Sequence, residues 1–496
     1  MKKITFVFGK LLFIFGILLS SCNNDSLDES DVFSETRSTA REVSSEKGSG
    51  LTNRVNLNNL QRVPVTLAGN EDIGDALIRT INNNGTDRAY VLPKGNYFVS
   101  KPIILPAVNN IAIIGPAGSF QNNQLAIIRT NVNAMRNTTI GNRSGVIICQ
   151  GNNVDFRNFT IDGGHNFAND TAQPTVSYAC VNIFGGEDMN AENMRFLNAT
   201  YGFCNPSNGT FGFQGTGLPI HGLRIVSSNF INIGRGVIFN RVWSRQRNGV
   251  QVGNVSSMKK IHISGNTFSG NIYAGIALDA GNDGDDGAPN LRNLPGANTA
   301  RQTVTSFNGS YIEGNTFNAS QRYNVAFAKV SNIVLRENTF RGNTTVNFNG
   351  TVNTFARSVN LEHEANKINI TGNVFTVPVR TNQVIETLRN RHIFAVTFTD
   401  YGNVALPENR VFDIQITNNI FNGSVDIGIL GTETRGFVID GNRFNRKAAA
   451  YDIYLRRVFN ANANGNENVT IENNSPVGNI SVRIERPNNV TSVFTL

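Results

Sequence analysis

Apolar residues along this chain come in short runs that alternate with polar ones, and one run keeps returning. Ile263-Ser264-Gly265-Asn266-Thr267-Phe268 recurs as Ile312-Glu313-Gly314-Asn315-Thr316-Phe317, as Leu335-Arg336-Glu337-Asn338-Thr339-Phe340 and as Ile370-Thr371-Gly372-Asn373-Val374-Phe375. Three more copies end at Asn419-Ile420-Phe421, Asn442-Arg443-Phe444 and, in degenerate form, Asn473-Asn474. Weaker copies come earlier, at Asn158-Phe159, Asn193-Met194-Arg195-Phe196 and Asn229-Phe230. The shortest interval is 23 residues, from Asn315 to Asn338 and again from Asn419 to Asn442. A unit of that length holds three short strands and three bends, and each strand can pair in parallel with its copy one turn on. Alternate Ile, Val and Phe then point inward. The repeated Asn is expected at a tight bend, in left-handed backbone geometry, bonded to the Asn of the next coil. Longer intervals leave the coil intact and extrude their surplus as loops.

Ahead of the repeats, residues 72–83 carry Ile73, Ala76, Leu77 and Ile81 at helical spacing, which predicts a short helix closing the amino-terminal end. Val91-Leu92-Pro93-Lys94-Gly95-Asn96-Tyr97 follows, then Ile103-Ile104-Leu105 and Ile111-Ala112-Ile113-Ile114-Gly115. This opening, with the Gly-Asn-x-Phe coils, resembles the pectate-lyase-like family of β-helix proteins over about residues 60–490. The resemblance implies an all-β, single-stranded right-handed parallel β-helix with a capping helix and long loop insertions. It does not fix the chemistry, because that family holds lyases, glycoside hydrolases, epimerases, esterases and phage tailspikes. The signature sets of polygalacturonases, ι-carrageenases and the alginate and chondroitin lyases are not found.

The ends of the chain change the picture. Lys2, Lys3 and Lys10 flank an apolar run from Leu11 to Leu19 that is too short for a confident membrane span. Leu19-Ser20-Ser21-Cys22 follows, so residues 1–21 read as a secretory signal. That ending resembles a bacterial lipobox, with Cys22 as the lipidated residue. Residues 22–49 hold seven acidic and three basic side chains and read as a flexible tether. Residues 50–496 are then the β-helix domain. The expected location is the outer membrane, held by the lipid at the cell surface or facing the periplasm.

Without these segments the body carries 38 basic against 29 acidic residues. A basic, exported body favours an anionic partner, and export argues against nucleic acid. An acidic polysaccharide is the expected partner, and the chain is expected to be a monomer. Cys149, Cys180 and Cys204 are spaced by 31 and 24 residues, near one coil, so they either pair across coils or stack as small buried side chains. Stacking is the favoured reading.

Candidate chemistry comes from superposing the coils. A second apolar strand reads Val237-Ile238-Phe239-Asn240, Ile276-Ala277-Leu278-Asp279, Val325-Ala326-Phe327-Ala328, Val359-Asn360-Leu361-Glu362, Val396-Thr397-Phe398-Thr399 and Ile453-Tyr454-Leu455-Arg456. First and third residues are expected inward, second and fourth outward. The outward row is then Asn240, Asp279, Ala328, Glu362 and Thr399, and the next position reads Arg241, Ala280, Lys329, His363 and Asp400. Coils stack about 4.8 Å apart, which sets Asp279 and Glu362 about 9.6 Å apart at their backbones. Long insertions at residues 280–304, 344–358 and 376–391 flank these strands.

Two chemistries fit this patch. β-Elimination needs cations or Ca²⁺ at a uronate carboxylate and a base, which Lys329 or His363 would supply, with Asn240, Arg241, Trp243, Arg245 and Asp400 binding substrate. The run Asp279-Ala280-Gly281-Asn282-Asp283-Gly284-Asp285-Asp286-Gly287 offers Asp283, Asp285 and Asp286 as oxygen ligands for Ca²⁺, though an exposed acidic turn is the more economical reading. Hydrolysis needs two carboxylates, and Asp279 with Glu362 or Glu364 meets the inverting spacing. The basic body places elimination slightly ahead. A non-catalytic glycan binder or adhesin is the reading from another class. Asp162-Gly163-Gly164-His165 reads as a tight turn, and His221, His262 and His392 show no partner spacing and default to structural roles.

Overall fold

The computed structural model describes residues 56–116, 125–136, 144–165, 178–205, 220–240, 258–270, 272, 274–279, 307–318, 323–328, 330–341, 347–348, 351–352, 357–362, 365–376, 391–396, 411–422, 427–432, 434–445, 451–456, 466–475, 480–485 and 487–493. The chain winds into a right-handed parallel β-helix. A 14-stranded sheet forms one wall, and a second sheet of 23 strands carries the other two strands of each coil. In a central coil these are Ser331–Arg336, Thr339–Arg341 and Arg357–Glu362. Each pairs in parallel with its counterpart one coil on, as in Leu335↔Ile370, Phe340↔Phe375 and Leu361↔Ala395. A small antiparallel pair, Asn347–Phe348 with Thr351–Val352, lies within the 344–358 insertion.

The helix expected at residues 72–83 runs Ile73–Asn84. Asp72 caps it by accepting the Gly74 amide at 2.6 Å, and Ile73, Ala76, Leu77 and Ile81 enter the core. Its C-cap is Gly85, at φ 70°.

The recurring Phe residues stack inside the coils. Phe230, Phe268, Phe317, Phe340, Phe375, Phe421 and Phe444 lie ring on ring, with centroids 4.6–5.0 Å apart. One bend away runs the ladder of Asn266, Asn315, Asn338, Asn373, Asn419, Asn442 and Asn474, in which each amide Nδ2 donates to the next Asn Oδ1 at 2.9–3.0 Å. The ladder carboxamides are buried, and each replaces the hydrogen bonds that a turning backbone would otherwise lose.

The left-handed geometry expected of the ladder Asn belongs instead to the residue before it. Asn158, Asn193, Ser227, Gly265, Gly314, Glu337, Gly372, Asn418, Gly441 and Asn473 all have φ between 49° and 64°. The bend is therefore two residues, one left-handed and one laddered. In the early coils the conspicuous Asn158 and Asn193 fill the left-handed place, and Ser228 takes the ladder place, its Oγ accepting the Met194 amide.

The cysteines do not stack. Cys149 stands opposite Ile183 and Cys204 opposite Asn182 and Ile238. Cys149 and Cys180 face the core, whereas Cys204 joins an apolar cluster on the outer side. The spacings of 31 and 24 count bends as well as strand positions, so equal coil length does not bring equal register. All three are buried, and burial pushes the Cys149 thiol up to about 12.

Candidate functional site

The second apolar strands carry the candidate site, and their register is set from inside. Val237 and Phe239, Ile276 and Leu278, Val325 and Phe327, Val359 and Leu361, and Ile453 and Leu455 lie in the core. Parallel pairing then sets Asn240 opposite Asp279, Asp279 opposite Ala328, and Ala328 opposite Glu362. Asp279 and Glu362 stand two coils apart in one row, about 9.6 Å at the backbone, with an alanine between them.

The row then departs from the sequence reading. The next strand is Arg391–Val396, with Ile393 and Ala395 inward and Val396 opposite Glu362. Val396 therefore takes the place that the sequence reading gave to Thr399. Ile393, Phe394, Ala395 and Val396 are all apolar, so the sequence carries no polar–apolar contrast that would mark the inward positions. The coil after it, Ile427–Thr432, is absent from the sequence reading because Gly428 and Gly431 resemble turn residues. Gly428 is required by packing, since a Cβ there would lie 2.6 Å from the Asp452 carbonyl oxygen.

Glu362 is half-buried and accepts a hydrogen bond from the amide of Asn360, which is buried beside it. Asn360 belongs to the neighbouring outward row, Cys204, Ile238, Ala277, Ala326, Asn360, Phe394, Leu430 and Tyr454. Cys204, Ile238, Ala277, Leu430 and Tyr454 in that row are buried although they point away from the core. The outer side of this sheet is thus a covered apolar surface along which the carboxylate row runs.

Several sequence candidates fall outside the described residues: Cys22, Arg241, Trp243, Arg245, Asp283, Asp285, Asp286, Lys329, His363 and Asp400. Asn240 and Asp279 are placed by their backbones alone. Among the described residues no group of three or more His, Cys, Asp or Glu could hold a metal ion, and no helix is long and apolar enough to cross a membrane.

The 14-stranded sheet carries a different set of polar groups outward. His262 has a partner after all: its Nε2 lies 2.9 Å from Glu313 Oε1. Arg336 holds the other oxygen of Glu313 through Nε at 2.7 Å and Nη2 at 2.6 Å. Together they hold the Glu313 carboxyl down at about 2, the His262 hydrogen bond being the largest cause. Farther back, Arg157 pairs with Asp155 and with Glu192, and Arg224 reaches Glu192 at 3.5 Å. Burial nonetheless raises the Asp155 carboxyl, against the pull of Arg157 and Asn190. On strands of the other sheet, His221 Nδ1 lies 3.7 Å from Glu187. The signal for the His262 pair was in the repeat. Ile263 stands opposite Ile312, which brings His262 and Glu313 to neighbouring strands across 51 residues of sequence.

Gly164 donates to Asp162 Oδ1 at 3.0 Å, the side-chain-closed turn expected there. The Tyr178 hydroxyl donates to the Gly163 carbonyl at 2.6 Å, and His165 lies buried edge-on to the Tyr178 ring.

The chain's likeness to known proteins is one of structure. No protein-family model matches it, and no curated protein matches it in sequence. Among solved structures it is similar to the DFA-IIIase of Arthrobacter chlorophenolicus A6, without its lid and in complex with GF2, at a TM-score of 0.53 and 14% identity. That match covers 88% of this chain and 100% of the other. It is also similar to the surface protein and adhesin PfbA of Streptococcus pneumoniae, at 0.50 and 14%, covering 87% of this chain and 98% of that one. These likenesses show the fold.

Proposed function

We propose that this β-helix is a carbohydrate-active enzyme that cleaves a polysaccharide by hydrolysis, with Asp279 and Glu362 as its paired carboxylates. The observation that carries the reading is the register Asp279–Ala328–Glu362. Two carboxylates on one outward row, two coils apart, approach the separation of about 6.5–9.5 Å that leaves room for a water on the far side of the sugar. The alanine between them carries only a methyl group, and Asn360 donates to the Glu362 carboxylate. A linear polymer lying along the solenoid axis would present its glycosidic bond across the pair. The DFA-IIIase complex with GF2, an oligosaccharide, shows that a protein of similar fold takes such a ligand.

A second reading is β-elimination on an acidic polysaccharide, with Lys329 or His363 as the base. The surplus of 38 basic over 29 acidic residues in the body supports it.

The test is to incubate the full chain with acidic and neutral glycans while following reducing ends and the ultraviolet absorbance of unsaturated uronates. Reducing ends without absorbance are expected, with Asp279→Asn and Glu362→Gln each lowering kcat/KM by about 10²–10⁴-fold. Both signals rising together would replace hydrolysis with elimination. Retention of a glycan with neither signal would overturn the enzyme reading and leave a binding protein.

A further inference from the structure

Beyond Glu362 the same outward face continues for several coils and ends in a cluster of different chemistry. Asn360 stands opposite Phe394, Phe394 opposite Leu430, Leu430 opposite Tyr454, and Tyr454 opposite Arg483. In the adjacent row Thr432 stands opposite Arg456. Tyr454 and Arg456 are therefore three coils from Asn360 and Glu362, about 14 Å along the axis.

The cluster is tightly organised. The Tyr451 and Tyr454 rings lie 5.1 Å apart at 45°. The Arg483 guanidinium sits 5.6 Å from the Tyr451 centroid and 5.2 Å from that of Tyr454. Its Nη1 donates to the Tyr451 hydroxyl at 3.0 Å, and its Nη2 lies 3.0 Å from Glu485. Glu485 also accepts from the Tyr454 hydroxyl at 2.7 Å. Tyr454 is buried behind the group, whereas the Arg483 side chain is 47% exposed.

A guanidinium has five N–H donors in a rigid fork, and this cluster occupies only part of them. The two rings and Glu485 hold the fork in one orientation, so little rotamer freedom is lost when an anion meets its outward edge. Arg456 lies two residues beyond Tyr454 on the same face, and among the described residues it makes no ion pair. Arg456 and Arg483 against Glu485 leave a net positive charge at this end of the face. The arginines of the opposite sheet differ, because Arg336 and Arg157 are spent on Glu313 and on Asp155.

We propose that Arg483, set on Tyr451 and Tyr454 with Arg456 beside it, forms a distal subsite that binds a carboxylate- or sulfate-bearing sugar of a polysaccharide whose chain runs back toward Glu362. The proposal rests on the reading above for the path of the polymer and adds to it the charge of the ligand. A cation held against aromatic rings offers its edge to the anionic group, while the half-buried Tyr451 offers apolar contact to the sugar. The expected ligand is therefore acidic even where the carboxylate pair alone would accept a neutral one.

The test measures binding of the full chain to alginate and to polygalacturonate by calorimetry, with the carboxyl-reduced polymers as neutral controls. The native chain is expected to bind at least one acidic polymer more tightly than its reduced form, and less tightly as salt rises. Arg483→Gln should weaken acidic binding about tenfold or more and leave neutral binding unchanged, with Arg483→Lys intermediate because it keeps the charge and loses the fork. Arg456→Gln, at a side chain outside the ring cluster, should weaken acidic binding severalfold without disturbing the fold. Where the polymer is cleaved, these variants should raise KM and leave kcat unchanged. Acidic binding unchanged in both variants, equal loss of acidic and neutral binding, or no binding of either acidic polymer by the native chain would each overturn the subsite. Glu362→Gln separates the two proposals. Normal charge-selective binding with no cleavage in any variant would sink the enzyme reading alone, and cleavage with unchanged binding would sink the subsite alone.

Discussion

The two long sheets turn very different outer faces to their surroundings. Past a buried apolar cluster of Leu60, Ala89, Ala112 and Ile114 near its first strands, the outward side chains of the 14-stranded sheet complete one another: Arg157 with Asp155 and Glu192, Arg224 with Glu192, and His262 and Arg336 with Glu313. The outward rows of the second strands instead hold Cys204, Ile238, Ala277, Leu430 and Tyr454, apolar and buried. The connections differ in the same sense. Between the first sheet and the Phe strands the bend is two residues in coil after coil, whereas 30 residues separate Asp279 from the next described strand, which begins at Ser310. A face that satisfies its own polar groups needs nothing further. An apolar outer face is stable only when covered, and long connections beside such a face are where ligands commonly bind.

The sharpest way to break this contrast is to place the same charge on each face. Ile238→Asp puts a carboxylate at a position only 3% exposed, between Cys204 and Ala277. Denaturant unfolding should show a loss of about 3–5 kcal/mol. Gln415→Asp, half-exposed on the outer row of the 14-stranded sheet, should change stability by less than about 0.5 kcal/mol. Equal costs at the two positions would remove the distinction between covered and open faces.

Much of this architecture is legible in the amino-acid sequence. The Asn-x-Phe repeat specifies both the aromatic stack and the ladder, because one residue type at one bend has one hydrogen-bonding use. The inward pairs of the second strands fix the row of Asp279, Ala328 and Glu362, since a shift of one residue would bury the charges. What is illegible depends on register across unequal coils. Residues 393–396 are apolar at every position, so the sequence does not show that Val396 takes the row position expected of Thr399. The Cys spacings fail because they count bends as well as strand positions. His262 and Glu313, by contrast, can be placed from the repeat, which sets Ile263 opposite Ile312 although 51 residues separate the pair. The Tyr451, Tyr454 and Arg483 cluster gives no signal, because its members come from two coils and from a degenerate end of the repeat.

The bend that joins the two faces gives the next largest effect. Asn338 accepts from the amide and the Nδ2 of Asn315 and donates to the Ile312 and Arg336 carbonyls and to Asn373. Asn338→Ala strands buried groups on both neighbouring coils and should cost about 2–4 kcal/mol in denaturant unfolding. Asn445→Ala removes an exposed Asn–Asn contact, to Asn422, and should cost less than about 0.5 kcal/mol. A similar loss at both sites would mean that the ladder contributes no more than a surface contact.

The smallest effect tests whether the open face is self-contained. Glu313 is held down at about 2 by His262 first and then by Arg336, against desolvation. A carboxyl whose folded value lies below its unfolded one adds stability above the unfolded value, near 4.3, and that stability is lost as pH falls toward about 2. Unfolding measured across this window should therefore show a loss that Glu313→Gln abolishes, of no more than about 1 kcal/mol because the group is partly exposed and screened. Molar salt should shrink it further. Asp155 carries the opposite sign. Burial raises its carboxyl, so protonation is favoured in the folded chain and Asp155→Asn should leave the acid loss in place. An acid loss that survives Glu313→Gln and disappears with Asp155→Asn would reverse the assignment of these two carboxyls, and the polar face would no longer stand as a closed network of its own.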